Sequence, residues 1–146
     1  MKLPVTVLFV CIGNACRSQM AEAFARAYGH GVIEPASAGL FPAAAIPAAT
    51  LQAMAAKHLD MHGQFPKSLR QFGKTQFDLL INMSGAPLPE PPEAEVRSWY
   101  VPDPVAMRFE DHCAVRDHIE RLVMGLILEL RSPAPSLKGQ GWAGPK

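Results

Sequence analysis

The amino-acid sequence predicts a three-layer α/β/α fold, in which a four-stranded parallel sheet lies between helices. Two observations lead to this prediction. Strand-like apolar runs alternate along the chain with segments whose apolar residues recur every three or four positions, as in sheets whose parallel strands are joined by helices. The chain has 146 residues, a length that suits one domain with a sizeable core.

The predicted strands are short runs bounded by turn-forming residues. They lie at residues 5–10, 33–38, 77–83 and 96–101. Between the last two runs, residues 84–92 contain four prolines and are predicted to form a loop. Because each strand is separated from the next by a helical or loop segment, right-handed crossovers and a parallel sheet follow.

The predicted helices show apolar residues at three- and four-residue spacing. The first covers about 18–28, and Gly29 closes it. Pro47 suits the first turn of a second helix that runs to about residue 58, on which Leu51, Met54 and Ala55 should face inward.

The last helix has the clearest apolar stripe of the chain. The stripe consists of Val115, Ile119, Leu122, Val123, Leu126, Ile127 and Leu130. Arg116, Glu120 and Arg121 are predicted to lie on its solvent side. Residues 132–146 are rich in Pro, Gly, Ser and Lys and have no period, so we expect one domain over 1–131 and a flexible tail over 132–146.

Composition excludes several classes of protein. Lys and Arg number 14 against 13 Asp and Glu, so no basic field for nucleic acid stands out. No run approaches the roughly 18 apolar residues of a membrane span. The apolar run after Lys2 resembles a signal peptide, but it is short, contains Pro4 and lacks a cleavage pattern. Three cysteines make no disulfide framework, so we expect a cytoplasmic protein. From the balanced charge and the short apolar runs, we expect that it binds neither nucleic acid nor membrane.

The residues between the first strand and the first helix carry the strongest chemical signal. They are Cys11, Ile12, Gly13, Asn14, Ala15, Cys16, Arg17 and Ser18. Such a loop can bend around a tetrahedral anion with its backbone N–H groups inward, next to a helix N-terminus and at the carboxyl end of a strand. We therefore predict an oxyanion-binding loop in which positive potential favours the Cys11 thiolate, Ser18 donates to it, and Cys16 could trap it as a disulfide.

Plainer interpretations of these polar residues stay open. The loop could hold a buried, inert cysteine beside an arginine that caps a carboxylate. His58 and His62 have the spacing of a metal-binding helix face, but two imidazoles without a third ligand are more typical of a solvated helix end. We predict no metal and no cofactor. Lys67, Arg70 and Arg97 are predicted to be solvated surface residues.

The loop and its flanks resemble a known family. Val-Leu-Phe-Val-Cys-Ile-Gly-Asn-Ala-Cys-Arg-Ser-Gln-Met-Ala-Glu-Ala is similar to the low-molecular-weight protein tyrosine phosphatases and to the arsenate reductases that share their fold. Four further segments extend the resemblance over roughly residues 5–130: Ser37-Ala38-Gly39, Phe77-Asp78-Leu79-Leu80, Asp103-Pro104 and Val115-Arg116-Asp117 with Ile119.

The resemblance implies a role for each residue of the site. Cys11 would attack phosphorus and form a cysteinyl-phosphate intermediate, while Arg17 would hold two equatorial oxygens as a bidentate fork. Asp103 would protonate the leaving oxygen and then help water attack. The plainer interpretation of Asp103 alone is a turn residue beside proline. The remaining loop residues would bind the substrate: Ile12, Gly13, Asn14, Ala15, Cys16 and Ser18.

Departures from the family leave three functions open. Val105 and Ala106 stand where tyrosine phosphatases carry aromatics, although Phe41, Trp99 and Tyr100 could supply aromatic surface. The two resolving cysteines of thioredoxin-linked arsenate reductases are absent, and Cys113, beside the apolar stripe, suggests a structural role. The first interpretation is hydrolysis of a phosphomonoester or phosphotyrosine protein. The alternatives are arsenate reduction with an external thiol and a catalytically quiet oxyanion-binding regulatory module.

Overall fold

The computed structural model describes residues 2–89 and 93–132, and they form a four-stranded sheet with helices. The strands all run parallel, in the order β2-β1-β3-β4. This confirms the predicted α/β fold around a four-stranded parallel sheet. The elements are β1 (Val5–Cys11), α1 (Arg17–Tyr28), β2 (Ile33–Gly39), α2 (Ala48–Ala55), a 3-10 turn (Leu69–Phe72), β3 (Leu79–Asn82), β4 (Glu95–Ser98) and α3 (Phe109–Arg131).

β1 is an inner strand of the sheet, so its carboxyl end lies between those of two neighbouring strands. It pairs with β2 along its whole length, from Val5 opposite Ile33 to Cys11 opposite Gly39, and β3 lies on its other side. Six of the seven residues of β1 are buried, as expected of a strand covered on both faces. Cys11 therefore ends a rigid central strand, and whatever follows it is held in place by the sheet.

The two faces of the sheet carry cores of different size. On the larger side Phe9 packs with Met20 and Phe24 of α1, Ile119 of α3 and Met54 of α2. The smaller cluster contains Leu8, Val10, Ala38 and Leu80, and the 3-10 turn and its flanks cover it through Leu69, Phe72 and Phe77. Among residues 2–89 and 93–132, the helices thus lie mainly on one face, and the 3-10 turn with neighbouring loops covers the other.

The structure corrects the predicted face of α2. Met54 is fully buried as predicted, but Leu51 and Ala55 are exposed, and Thr50 and Ala53 are buried instead. The apolar pattern failed here because the Thr50 hydroxyl finds hydrogen-bond partners inside the protein, so its burial is tolerated. The helix also ends at Ala55, earlier than predicted.

The polar side of α3 is less solvated than predicted. Arg121 is exposed, but the Arg116 side chain is 11% exposed and donates to the Ala53 carbonyl of α2 at 2.9 Å. Glu120 pairs with Lys57 at 2.9 Å and accepts a hydrogen bond from the Tyr28 hydroxyl. These groups join α3 to its neighbours, whereas the predicted stripe forms its buried face.

Two further predictions are altered at the edge of the sheet. β4 ends at Ser98 rather than residue 101, and the Val101 carbonyl instead accepts a hydrogen bond from Arg17 Nη1 at 3.1 Å. Arg97 is not simply solvated, since it joins Glu95 to Glu129 of α3 at 2.8 and 2.9 Å. Within residues 2–89 and 93–132, no helix is long and apolar enough to cross a membrane. The predicted flexible tail lies, from residue 133 onward, outside the described residues.

Candidate active site

The loop from Cys11 to Ser18, called the anion loop below, is braced by the segment that follows β2. Three backbone N–H groups of that segment donate to three loop carbonyls: Leu40 to Cys11 at 3.1 Å, Phe41 to Ile12 at 2.8 Å and Ala43 to Gly13 at 2.9 Å. For the N–H groups of residues 13–16, the described part of the chain offers no protein acceptor. The loop therefore carries backbone donors that are free to bind an anion.

Gly39, the last residue of β2, allows the anion loop to pack against the sheet. A Cβ atom at Gly39 would lie 2.8 Å from the backbone nitrogen of Asn14 and 2.8 Å from the carbonyl oxygen of Ile12. Real Cβ atoms do not approach backbone atoms this closely, so only glycine fits without moving the loop. The Ser-Ala-Gly segment noted in the sequence thus has a physical role.

Asn14 holds the anion loop in shape from within. Its φ angle of 50° lies in the left-handed region, which asparagine tolerates better than most residues, and it is fully buried. Its side-chain oxygen accepts from the Lys67 backbone at 2.9 Å and from Gln19 Nε2 at 3.0 Å. Its Nδ2 donates to Ser18 Oγ at 2.7 Å. One side chain therefore connects the loop, α1 and the chain near residue 67.

Cys11 lies at the bottom of the anion loop, 2% exposed, with Ser18 Oγ at 2.9 Å from its sulfur. Because Ser18 Oγ already accepts a hydrogen bond from Asn14 Nδ2, its own hydroxyl proton is free to be donated to the Cys11 sulfur. A donor at this position stabilises a thiolate, which is the nucleophilic form of cysteine. The structure thus places the Ser18 hydroxyl within hydrogen-bond distance of the Cys11 sulfur, and its role toward a thiolate stays a prediction.

Arg17 joins the anion loop to two other segments. Its Nη1 donates to the Met83 carbonyl at 2.8 Å and to the Val101 carbonyl at 3.1 Å, and its side chain is 8% exposed. Both Nη1 protons are used on these carbonyls, which leaves the Nε and Nη2 protons for an anion. The guanidinium is therefore both a structural link and a source of bidentate donors.

Asp103 reaches the same place from the loop after β4. Its Oδ2 lies 3.7 Å from Arg17 Nη2, and its Oδ1 accepts from the Val105 backbone at 3.1 Å. Asp103 is therefore a turn residue, as its plainer interpretation predicted, and the same turn holds its carboxylate beside Arg17. Residues 101–107 are called the acid loop below. The Asp103 side chain is 48% exposed, so water can reach it.

Two functional candidates were missed by sequence reasoning. The Thr50 hydroxyl hydrogen-bonds Cys16 Sγ at 3.3 Å and His112 Nε2 at 3.0 Å, and all three side chains are buried. Burial raises the pKa of the Cys16 thiol and lowers the pKa of His112. His112 stands three positions before Val115, so extending the apolar stripe of α3 toward its start would have predicted its burial.

The other residues considered in the sequence lie around this centre or away from it. Phe41 is 76% exposed beside the anion loop, and Tyr100 is 87% exposed next to the acid loop. Trp99 instead packs on Phe9, with ring centroids 5.9 Å apart. Cys113 is partly buried on α3.

The two histidines with metal-like spacing do not share a helix face. α2 ends at Ala55, and His58 adopts a left-handed φ of 63° in the turn beyond it. Among residues 2–89 and 93–132, no group of three or more His, Cys, Asp or Glu side chains is arranged to hold a metal ion.

The fold and the site together define a class of protein. A cysteine ends the central strand with a serine hydroxyl 2.9 Å from its sulfur, the backbone N–H groups of the anion loop follow it, and the arginine of that loop lies 3.7 Å from a carboxylate. This is the equipment of enzymes that attack tetrahedral oxyanions with a cysteine sulfur.

Comparison with known proteins agrees with this class. Residues 6–135 match the family described as low molecular weight phosphotyrosine protein phosphatase, and the chain belongs to this family. It is therefore a cysteine-dependent enzyme of that superfamily.

Individual relatives include both reductases and phosphatases. The chain is 33% identical over 128 residues to a glutaredoxin arsenate reductase of Synechocystis sp., covering 85% of this chain and 97% of the relative. A solved arsenate reductase in the phosphate binding state superposes with a TM-score of 0.78 at 31% identity, covering 86% of this chain and 98% of that one. A low molecular weight protein tyrosine phosphatase from T. tengcongensis gives 0.73 at 27% identity, covering 86% and 99%.

Proposed function

We propose that this protein reduces arsenate to arsenite, with Cys11 as nucleophile and an external thiol as reductant. The observation that carries the proposal is the similarity to a relative named as a glutaredoxin arsenate reductase, which extends over 97% of that relative. This was the alternative in the sequence analysis, and the comparisons support it better than hydrolysis of phosphotyrosine.

In the first step the Cys11 thiolate attacks the arsenic atom of arsenate. Backbone N–H groups of the anion loop and the Nε and Nη2 protons of Arg17 bind the oxygens and stabilise their charge. Asp103, beside Arg17 at the opening, protonates the departing oxygen. A sulfur–arsenic bond forms, an arsenic–oxygen bond breaks, and one water molecule leaves.

In the second step an external thiol attacks the Cys11 sulfur of this adduct. The sulfur–arsenic bond breaks and its electron pair stays on arsenic, which becomes arsenite, while Cys11 and the thiol form a mixed disulfide. A second thiol then releases Cys11 and the oxidised disulfide. Arsenic gains two electrons and two thiols lose one each, so the sequence is balanced.

The reductant is external because neither remaining cysteine is poised to supply the second thiol. Cys16 is held by the Thr50 hydroxyl, and burial raises its pKa, which disfavours the reactive thiolate. Cys113 lies partly buried on α3, on an element that does not contribute to the anion loop. A glutathione- or glutaredoxin-type thiol fits this requirement.

The proposal is tested by measuring arsenite formed from arsenate with three reducing systems: glutathione with glutaredoxin, thioredoxin with its reductase, and mycothiol. We expect turnover with at least one system, its loss in Cys11→Ser, and its retention in Cys113→Ser. Cys113→Ser is the matched control, since it removes a thiol of the same chain outside the anion loop. Absence of arsenite with all three systems would contradict the proposal, and loss of activity in Cys113→Ser would indicate an internal thiol relay.

Hydrolysis of a phosphomonoester is the second candidate, and the position of Asp103 favours it. A carboxyl group that is half exposed at the opening of the anion loop can protonate an alkoxide or phenoxide leaving group. Exposed Phe41 and Tyr100 stand where they could contact an aryl group. Release of p-nitrophenol from its phosphate should be slowed about 10²- to 10⁴-fold by Asp103→Asn. Binding of phosphate without turnover of either substrate would indicate the regulatory module instead.

A further inference from the structure

A line of side-chain hydrogen bonds runs from the segment after α2, through the start of α1, to the Cys11 sulfur. Gln64 Nε2 donates to Gln19 Oε1 at 2.7 Å, and Gln19 Nε2 donates to Asn14 Oδ1 at 3.0 Å. Asn14 Nδ2 donates to Ser18 Oγ at 2.7 Å, and Ser18 Oγ lies 2.9 Å from the sulfur. Gln19, Asn14 and Ser18 are fully buried. The residues along this line are called the donor chain below.

Backbone groups fix the direction of the donor chain. The Lys67 N–H, which can only donate, faces Asn14 at 2.9 Å, so the atom of Asn14 on that side is the oxygen. The carbonyls of Asn14 and Phe65, which can only accept, face Gln19 at 3.0 and 2.9 Å, so the atom of Gln19 on that side is the nitrogen. The amide nitrogen of Asn14 is then left to donate to Ser18, and the proton of that hydroxyl is left for the sulfur.

Gln19 holds Asn14 by its backbone and its side chain together. One Nε2 proton of Gln19 is used on the Phe65 carbonyl, which leaves the other to be shared by the Asn14 carbonyl and Asn14 Oδ1, each 3.0 Å from the nitrogen. Because both oxygens of one residue are held by one donor, the Asn14 side chain is fixed relative to its left-handed backbone. Gln64 holds Gln19 in turn, since it donates to both the carbonyl and Oε1 of that residue.

Simple core packing does not account for a glutamine at position 19. The residue is fully buried in the first turn of α1, where Leu or Met would fill the space without the cost of burying an amide. A buried amide is favourable only if its atoms find partners, and two of the three oxygens that Gln19 Nε2 faces belong to Asn14. Its hydrogen bonds therefore lead mainly to the anion loop.

We propose that Gln19 is a positioning residue for the Cys11 thiolate. It holds Asn14 in the orientation that makes Ser18 a hydrogen-bond donor to the sulfur. None of the Gln19 hydrogen bonds goes to Cys11, so its effect passes through these two residues. A donor that is held in place favours the thiolate over the thiol, and successive buried donors polarise one another. The inference rests on the proposed role of Cys11 as the nucleophile.

The first test measures the rate at which iodoacetamide alkylates Cys11 at different pH values, with tandem mass spectrometry to identify the modified cysteine. Gln19→Met keeps the length of the side chain and removes its amide. We expect the midpoint pH of alkylation to rise by about one unit, because the thiolate loses part of its hydrogen-bond support. Ser37→Ala is the matched control, since it removes a buried hydrogen bond to Glu22 of the same helix, outside the donor chain, and should leave the midpoint unchanged. No rise in Gln19→Met, or an equal rise in Ser37→Ala, would overturn the proposal.

The second test asks whether the effect of Gln19 passes through Ser18. In a Ser18→Ala background the donor chain is already cut before the sulfur, so adding Gln19→Met should raise the alkylation midpoint no further. A further rise as large as that caused by Gln19→Met alone would show that the effect reaches Cys11 by another route, and it would overturn the proposal.

The pH dependence of activity supplies a readout that a merely structural role would not move. A rise of one unit in the midpoint means about tenfold less thiolate well below the midpoint and an equal amount well above it. For arsenate reduction, kcat/KM of Gln19→Met should therefore be about tenfold below wild type at low pH and should approach wild type at high pH. A loss of the same size at every pH would overturn the proposal.

Alkylation needs no substrate, so the two proposals can fail separately. If wild type reduces no arsenate, the proposed function fails, and the alkylation midpoint still decides the role of Gln19. If wild type reduces arsenate and the midpoint does not move in Gln19→Met, only the role of Gln19 fails. If Gln19→Met does not fold, Gln64→Met decides the question, because it releases the Gln19 amide from a half-buried position. A midpoint that stays at the wild-type value in Gln64→Met would then count against the proposal.

Discussion

Replacing Arg17 with lysine should lower the stability of the protein as well as its activity. Arg17 Nη1 holds two backbone carbonyls at once, Met83 at 2.8 Å after β3 and Val101 at 3.1 Å in the acid loop. A lysine ammonium is a single point on a flexible stem and can serve only one of them in this geometry. The carbonyl left without a partner is buried, which costs about 1–3 kcal/mol of the free energy of unfolding.

This loss is large enough to measure in a chain of this length. A change of about 1–3 kcal/mol corresponds to a fall in Tm of roughly 2–12 °C, at ~2–4 °C for each kcal/mol. Urea unfolding followed by circular dichroism gives the free energy directly, and an unchanged m-value would show that the unfolded state is not altered. We expect the urea midpoint to fall with little change in m.

Arg97→Lys is the matched control. Arg97 also bridges two groups, Glu95 and Glu129, but those carboxylates are about half exposed and remain solvated when the bridge is lost. Surface ion pairs contribute about 0–1 kcal/mol, so Arg97→Lys should change stability by less than about 1 kcal/mol. Equal and small losses in the two variants would refute the reasoning that Arg17 anchors β3 and the acid loop.

Three further predictions follow from other contacts. Gly39→Ala should lower stability by about 1–3 kcal/mol and weaken binding of inorganic phosphate measured by calorimetry, because its Cβ would press on Asn14 and Ile12; unchanged affinity would contradict this. Asn14→Ala should cost more than about 2 kcal/mol in urea unfolding, since several buried bonds are lost together; a loss under about 1 kcal/mol would contradict it. Burial lowers the pKa of His112, an effect that Arg116 strengthens and that Pro104 and Asp103 oppose. As pH falls below about 6.5, the His112 imidazole is therefore protonated more readily in the unfolded chain than in the folded protein. Tm should decrease from pH 7.5 to 5.5, and the decrease should be smaller in His112→Phe. Equal decreases in the two proteins would contradict this prediction.

The parts of the structure that sequence could predict are those with a local signal. The apolar run of β1 and the stripe of α3 each depend on neighbours in the chain, and both are found; the proline-rich loop is found as far as residue 89, where the described part of that segment ends. Cys11 and Arg17 could be placed together because only a short loop separates them. Asp103 could be assigned to the site only because its Asp-Pro pair resembles that of a known family.

The parts that sequence could not predict depend on packing between distant elements. Thr50 and His112 are 62 residues apart in the chain, and nothing local indicates that α2 and α3 place them in contact. The same contact explains why Leu51 was wrongly predicted to be inward, since a polar residue took the buried position. Arg17 was expected to hold anion oxygens, but its use of Nη1 on two carbonyls depends on where β3 and the acid loop end.

The brace that Leu40, Phe41 and Ala43 form on the anion loop has a consequence for selectivity. The loop dipoles are aligned when the chain folds, so an arriving anion does not have to organise them. Phosphate and arsenate are both tetrahedral oxyanions of similar size and charge, and such a preformed cradle presents the same donors to each. In a reductase built on this loop, phosphate would therefore compete with arsenate for the donors around Cys11. The phosphate concentration around the protein would then set how much arsenate is reduced.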